Sequence, residues 1–145
     1  MECAFPTINS NMDEIKEIFK NTKTIAIVGL SPKVEKASNM VGAYLQKAGF
    51  KIVPIYPKGD EILGEKVYRN ICDVPFKIDM VDMFRKPDFA TVLLEDIKKR
   101  GDVDCFWLQL GIVNNEAMEN AKKVGLKVVQ NRCTKIDHKV MVDNG

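Results

Sequence analysis

Five short runs rich in β-branched and aromatic residues recur at nearly constant spacing, and this period constrains the fold more than any other feature of the chain. Their starts are separated by 23 to 28 residues, close to the roughly 30 residues of a strand, helix, strand unit. The spacing predicts a doubly wound α/β fold with about five mainly parallel strands and helices on both faces. The predicted strands are residues 24–29, 51–56, 79–84, 104–108 and 127–131.

Helical periodicity separates most of these runs. Asn11 and Glu14 form a plausible capping box for a first helix, and residues 38–48 form a second helix that ends at Gly49. A third helix opens at Pro87 and ends before Gly101, and Asn114 or Asn115 caps a fourth that Gly125 ends. The inward residues are predicted to be Phe89, Val92, Leu93 and Ile97 on the third helix, and Met118, Ala121 and Val124 on the fourth.

The segment between the second and third runs has no helical period. It carries Gly59, Gly64 and Pro75 and only a brief β-like stretch at residues 66–68. We interpret it as a loop with a short edge strand and a weak helical turn near residues 70–74. An edge position for the second strand also explains Pro54, which cannot donate a hydrogen bond to a neighbouring strand.

Length and composition exclude several classes of protein. The 145 residues suit one domain, with residues 1–10 expected to be a flexible or peripheral segment. No apolar run approaches the ~18 residues of a membrane span, and the amino terminus lacks the order of a secretory signal, so a cytoplasmic location is expected. The net charge is +2, and no basic helix stripe or platform of stacking aromatics indicates nucleic acid. The four cysteines and His138 lack metal-ligand spacing, so reduced, mostly buried thiols are expected.

Positive charge is concentrated where this fold binds ligands. In a doubly wound sheet all parallel strands end on one rim, and ligands bind there at the point where strand order reverses. The predicted rim loops are residues 30–38, 56–60, 84–87, 109–113 and 131–135. They hold the cations Lys33, Lys36, Lys58, Arg85, Lys86, Arg132 and Lys135 against the acids Glu35 and Asp60. This balance favours an anionic ligand.

The loop after the first strand has features of a phosphate site. Gly29 allows a tight turn, and the helix that follows offers unpaired backbone N–H groups and the positive end of its dipole. Ser31 and Ser38 add hydroxyl groups, and Lys36 can reach the charge. Gly42 inside the helix is costly unless it allows the helix to lie close to the strand.

The end of the second strand separates nucleotide classes. An NAD site has an acidic residue there to bind the ribose 2′-hydroxyl, whereas this chain has Tyr56, Pro57 and Lys58. A lysine at this place suits a ligand with an additional ribose phosphate, such as NADP or coenzyme A (CoA).

Four blocks of sequence together resemble a known family. The stretch from "VGLSPKVEKASNM" to "GEKVY", with "DMFRKP", "FWLQLGI" and "QNRC", is similar to small stand-alone CoA-binding proteins, whose fold resembles the CoA-binding domain of the succinyl-CoA ligase α subunit. The resemblance covers roughly residues 10 to 137. It implies a Rossmann-like fold that binds CoA or acyl-CoA across the strand-end rim.

The resemblance also implies a role for individual residues. Phosphates would be cradled by Gly29, Leu30, Ser31, Pro32, Lys36 and Ser38. The ribose 3′-phosphate and adenine would be bordered by Tyr56, Pro57 and Lys58, the adenine or pyrophosphate flanked by Phe84 and Arg85, and the pantetheine arm lined by Gln109, Gly111 and Asn131. For Tyr56, Phe84 and Trp107, packing in the core remains an equal alternative.

No catalytic constellation accompanies this site. The sequence lacks a nucleophile elbow, and Cys133 is expected to pack, the alternative being a thiol near the reactive end of CoA. We therefore expect CoA binding without catalysis. The alternatives are an NADP-type oxidoreductase, which the absence of G-x-G-x-x-G disfavours, and a CoA-binding subunit of a separately encoded ligase. A homodimer also remains open.

Overall fold

Five of the strands form one parallel sheet in a computed structural model of the chain, which describes residues 5–144. The strands are β1 (Thr24–Val28), β2 (Lys51–Ile55), β3 (Glu61–Ile62), β4 (Glu65–Lys66), β5 (Met80–Met83), β6 (Cys105–Leu108) and β7 (Lys127–Val129). The sheet order is β2-β1-β5-β6-β7, and β3 and β4 form a separate antiparallel hairpin. The predicted α/β, Rossmann-like architecture is confirmed, and each of the five predicted strands overlaps an observed one.

The helices are α1 (Met12–Lys20), α2 (Ala37–Lys47), α3 (Phe89–Arg100), α4 (Asn115–Lys123) and α5 (Thr134–Asn144). The predicted capping box forms, because the Asn11 side chain accepts from the Glu14 backbone while the Glu14 carboxylate accepts from the Asn11 backbone. Asn114 caps α4 through a bond from the Ala117 N–H.

The core lies in two layers, one on each face of the sheet. Val81 and Phe106 belong to the cluster that includes α3 and α4, whereas Met80 and Trp107 belong to the cluster that includes α1 and α2. Alternation along each strand sends successive side chains to opposite faces. Full burial of a large apolar side chain contributes roughly 1.5–3 kcal/mol, so both layers stabilise the sheet.

Two predicted core positions are wrong. Val92 and Val124 are each 56% exposed. The inward face of α3 consists of Ala90, Leu93, Leu94 and Ile97, and Val124 lies just beyond the end of α4. A count of apolar residues at helical spacing did not separate these two valines from their buried neighbours.

No helix was predicted for residues 134–144, where the structure has α5. Its buried residues are Thr134, Asp137 and His138, and Ile136 and Val140 are exposed instead. The inward face of α5 is thus largely polar, which an apolar periodicity does not detect.

The segment between β2 and β5 holds the predicted helical turn as a 3-10 helix, Ile71–Asp73. The predicted edge strand corresponds to β4 and to Tyr68, which forms a parallel bridge with Ile55. Pro54 lies on the edge strand β2, as expected. The Tyr68 N–H donates to the Pro54 carbonyl at 2.9 Å.

Residues 5–10 run beside β7 and α4. Ser10 Oγ donates to the Val128 carbonyl at 2.9 Å, and the Asn115 side chain bonds the backbone of both Phe5 and Thr7. Residues 1–4, including Cys3, lie outside the described residues. Within the described part of the chain, no helix is long and apolar enough to cross a membrane.

Candidate ligand-binding site

The strand order reverses at β1. The chain passes from β1 to β2 on one side, and β5 later pairs with β1 on the other side. Such a reversal opens a crevice at the carboxyl ends of the strands, and a cavity of about 450 Å³ lies there. It is lined by Gly29, Ser31, Lys36, Ala37, Ser38, Tyr56, Pro57, Phe84 and Arg85. The structure therefore brings together eight of the fourteen residues predicted for the site.

Gly29 makes the turn at the end of β1. Its φ is +89°, and a Cβ at this position would lie 3.0 Å from the Phe84 carbonyl oxygen and 3.2 Å from Arg85 Cδ. Any other residue would strain the backbone and press against the loop after β5. Glycine therefore allows these two loops to lie side by side.

Internal hydrogen bonds fix the loop between Gly29 and α2. The Ser31 N–H donates to Ser38 Oγ at 3.0 Å, Ser31 Oγ accepts from the Lys33 N–H, and Asn39 Nδ2 donates to the Ser31 carbonyl at 2.8 Å. Ser38 and Asn39 are buried. These bonds hold the loop in one conformation.

The amino terminus of α2 opens onto this cavity. Lys36 occupies its N-cap position but makes no capping hydrogen bond through its side chain, and no acidic residue lies in the first turn. By contrast, α1 and α4 each have an asparagine cap and an acidic residue in the first turn. The unsatisfied N–H groups and the helix dipole of α2 favour an anion.

Two cationic side chains line the same cavity. Lys36 comes from the β1–α2 loop and Arg85 from the loop after β5. The Arg85 guanidinium lies 4.5 Å from the centroid of the Phe89 ring, a cation–π contact that orients its plane. The site thus has backbone donors and positive charge on two of its walls.

The aromatic residues at the strand ends divide into two groups. Tyr56 and Phe84 line the cavity and are also half-buried against the core of the α1 and α2 layer. Trp107 is fully buried, and its Nε1 donates to the Arg132 carbonyl at 2.7 Å. Core packing is therefore the role of Trp107, whereas Tyr56 and Phe84 combine core packing with a surface toward the cavity.

The other six predicted residues do not line the cavity. Leu30 is fully buried, and a Cβ at Gly42 would lie 3.0 Å from Leu30 Cδ1, so Gly42 allows the close approach of α2 that was predicted. Pro32 and Lys58 are exposed in their loops. The Gly111 N–H donates to Asn131 Oδ1 at 2.7 Å, joining the loops after β6 and β7.

Gln109 belongs to a buried polar network that sequence reasoning missed. Its Nε2 lies 2.9 Å from both carboxylate oxygens of Asp82, and Thr134 Oγ1 donates to Asp82 Oδ2 at 3.0 Å. Asp82 is fully buried in the middle strand β5, and burial raises its pKa to about 7. The network ties β5 and β6 to the first turn of α5.

The charged residues at the rim differ in two places from those counted in the predicted rim loops. Arg132 is neutralised by Asp137, whose carboxylate it meets at 2.7 Å, and this ion pair raises the pKa of Arg132. Arg69 is a further cation at this rim, and its Nη1 donates to the Tyr56 carbonyl at 3.2 Å. Arg69 lies at this rim because the preceding residue, Tyr68, forms a bridge with Ile55. The sequence around Arg69 contains no pattern that predicts this pairing.

A second cavity, of about 670 Å³, lies at the opposite ends of the strands. Glu14, Glu17, Asp79 and Asp104 line it, and Lys77 is held by Asp79 and Asp104 at 2.8 Å each. An excess of carboxylates repels phosphate, so this cavity does not suit a nucleotide.

Comparison with known proteins agrees with the fold. A family described as "CoA binding domain" matches residues 23–139. The chain belongs to this CoA-binding domain family. It is also 37% identical to the uncharacterised protein YneT of Bacillus subtilis, over 91% of this chain and 97% of YneT.

Solved structures and longer relatives extend the comparison. A hypothetical protein from Pyrococcus horikoshii is 37% identical, with a TM-score of 0.88 over 98% of this chain and 99% of the other. An ADP-forming acetate–CoA ligase of Methanocaldococcus jannaschii is 30% identical over 77% of this chain. The match spans 17% of that ligase, so the chain corresponds to less than a fifth of its length.

Proposed function

We propose that this chain binds CoA or an acyl-CoA in the cavity at the carboxyl ends of β1, β2 and β5. The observation that carries the proposal is the uncapped amino terminus of α2, which faces the cavity between Lys36 and Arg85. CoA carries a pyrophosphate, and a helix terminus with two nearby cations is suited to it. Family membership supports CoA over other phosphate ligands.

The described residues fit the parts of this ligand. Gly29, Ser31, Lys36 and Ser38, which line the cavity, would hold the pyrophosphate. Tyr56 and Phe84 offer half-buried ring surfaces for the adenine. In this proposal Lys58 borders the ribose 3′-phosphate. Gly111 and Asn131 would line the pantetheine arm, whereas Gln109, also expected there, is buried with its amide bonded to Asp82 and Thr134. No catalytic role is assigned.

Calorimetry with CoA, dephospho-CoA, NAD and NADP tests the proposal. We expect CoA to bind most tightly, and Lys36→Ala to weaken its binding about tenfold, since charge-assisted hydrogen bonds contribute roughly 1.5–3 kcal/mol. Lys33→Ala is the matched control, because it removes the same charge from the same loop outside the cavity lining. Absence of heat with CoA would reject the proposal, and tighter binding of NADP would favour an oxidoreductase.

A second candidate is a CoA-binding subunit of a separately encoded acyl-CoA ligase. It is supported by the ADP-forming ligases, including an α subunit from Pyrococcus furiosus of which this chain matches 28%. Mixing the purified chain with a nucleotide-binding ligase subunit and measuring ATP-dependent acyl-CoA formation tests it. Activity that needs both proteins supports the subunit role, and a cytoplasmic location belongs to either proposal.

A further inference from the structure

The four arginines of the chain fall into two pairs, according to whether they form an ion pair with a carboxylate. Arg100 pairs with Asp102 and also donates to three backbone carbonyls, and Arg132 pairs with Asp137. Within residues 5–144, Arg69 and Arg85 form no ion pair with a carboxylate. Arg85 lines the candidate cavity, and Arg69 donates to the carbonyl of Tyr56, another cavity residue. Both arginines without an acidic partner therefore lie at one site.

The position of Arg69 follows from the backbone. The Tyr68 N–H donates to the Pro54 carbonyl at 2.9 Å, and the Tyr56 N–H donates to the Tyr68 carbonyl at 3.0 Å. Because this bridge is parallel, the chain leaves Tyr68 toward the same rim at which β2 ends. Arg69 is thus the first side chain beyond a short extension of the sheet.

One hydrogen bond already orients the Arg69 guanidinium. Its Nη1 is engaged by the Tyr56 carbonyl, which leaves its other N–H groups for a ligand. A guanidinium held in this way loses less side-chain entropy on binding an anion than a lysine does. Lys58 is exposed and forms no ion pair among the described residues, so its side chain is not held in advance.

We infer that Arg69 is a specificity-determining residue, which binds the phosphate on the ribose of the nucleotide. This inference rests on the proposed binding of CoA and deepens it. The pyrophosphate would lie at α2, and the second, separate anionic group would lie at the end of β2 beside Tyr56. A phosphomonoester accepts two parallel hydrogen bonds from a guanidinium, so Arg69 distinguishes CoA from ligands without that group.

The test compares CoA with 3′-dephospho-CoA on Arg69→Ala by calorimetry. We expect Arg69→Ala to weaken CoA binding about tenfold or more and dephospho-CoA binding less than about twofold. Lys66→Ala is the matched control, since Lys66 precedes the bridge and lies over the Tyr68 ring, 5.1 Å from its centroid. It should leave both affinities unchanged. Thermal unfolding of each variant checks that the fold is retained.

The outcomes separate this inference from the proposal beneath it. If the wild-type chain binds CoA but Arg69→Ala weakens both ligands equally, or neither, the inference is overturned and CoA binding stands. Equal affinity of the wild-type chain for CoA and dephospho-CoA also overturns it. If the wild-type chain binds no CoA at all, the proposed function fails, and this inference fails with it.

Discussion

The two helical layers bury different chemistry against the same sheet. Toward α3 and α4 the sheet presents apolar side chains such as Val81 and Phe106. On the side of Trp107, α5 contributes Thr134, Asp137 and His138 as its buried residues, and Thr134 meets the carboxylate of Asp82. One layer depends on close packing, and the other also depends on hydrogen bonds of fixed direction.

The difference shows how the fold separates stability from binding. Apolar burial is not directional and does not titrate, so the α3 and α4 layer stabilises the sheet at any moderate pH. Hydrogen bonds hold α5 and the rim loops in set positions, at the cost of burying groups that can change charge. The polar network includes Gln109, which directly follows β6, so it joins the end of that strand to α5.

Leu93→Ala gives the largest expected effect. Leu93 is 2% exposed in α3, and a cavity left in an apolar core costs roughly 2–5 kcal/mol. Chemical denaturation should show this loss equally at acid and neutral pH, with CoA affinity unchanged. Val92→Ala, at the exposed neighbouring position, should cost less than about 0.5 kcal/mol. Equal costs at both positions would contradict the assignment of the inward face.

Asp82→Asn should change how stability depends on pH. The folded pKa of Asp82 is about 7 and its ordinary value is 3.8, so folding takes up a proton between these values. The contribution of this carboxyl to stability is therefore complete below pH 3.8. It is lost as the pH rises through the folded pKa of about 7. The unfolding free energy of Asp82→Asn minus that of wild type should therefore rise with pH by a few kcal/mol and then level off. A difference independent of pH would show that Asp82 does not titrate in this way.

His138→Asn tests the opposite slope within the same layer. His138 packs edge-on against Phe19 and Phe50, its Nδ1 lies 2.9 Å from the Tyr44 hydroxyl, and burial lowers its pKa below 6.5. The unfolded chain then binds more protons than the folded chain, so wild-type stability should fall as pH drops below 6.5. Asparagine does not titrate there, so the variant should lose about 1 kcal/mol at neutral pH through its smaller contacts and show a weaker acid dependence. An unchanged acid dependence would assign that slope to other groups.

Lys36→Ala should have the smallest effect on stability. Lys36 is exposed at the start of α2 and makes no capping bond, so its loss should change the unfolding free energy by less than about 0.5 kcal/mol. The same variant is expected to weaken CoA binding. Denaturation and calorimetry on one preparation measure both, and a large loss of stability would mean that Lys36 supports the loop rather than a ligand.

The strands and most helices could be predicted because their signals are local. Apolar runs defined β1 and β2, and the Asn11 capping box defined the start of α1. The helix α5 could not be predicted from apolar period, because Thr134 and Asp137 face inward while Ile136 and Val140 face solvent. The partners of Thr134 are Asp82 and Gln109, far away in sequence, whereas Asp137 pairs with the nearby Arg132.

The same reason limits prediction of the site. Gly29, Lys36 and Arg85 could be grouped because a parallel sheet brings loops after its strands to one rim. The network at Asp82 and the position of Arg69 depend on which strands are neighbours and in which direction they run. Local patterns carry no information on those pairings.

The single tryptophan of the chain offers an optical consequence of this architecture. Trp107 lies in the middle of β6 with its indole nitrogen bonded to the Arg132 carbonyl, two residues before α5 begins. Its emission spectrum should therefore respond to the undocking of the last helix, so light from one residue reports on the side of the molecule where binding is expected.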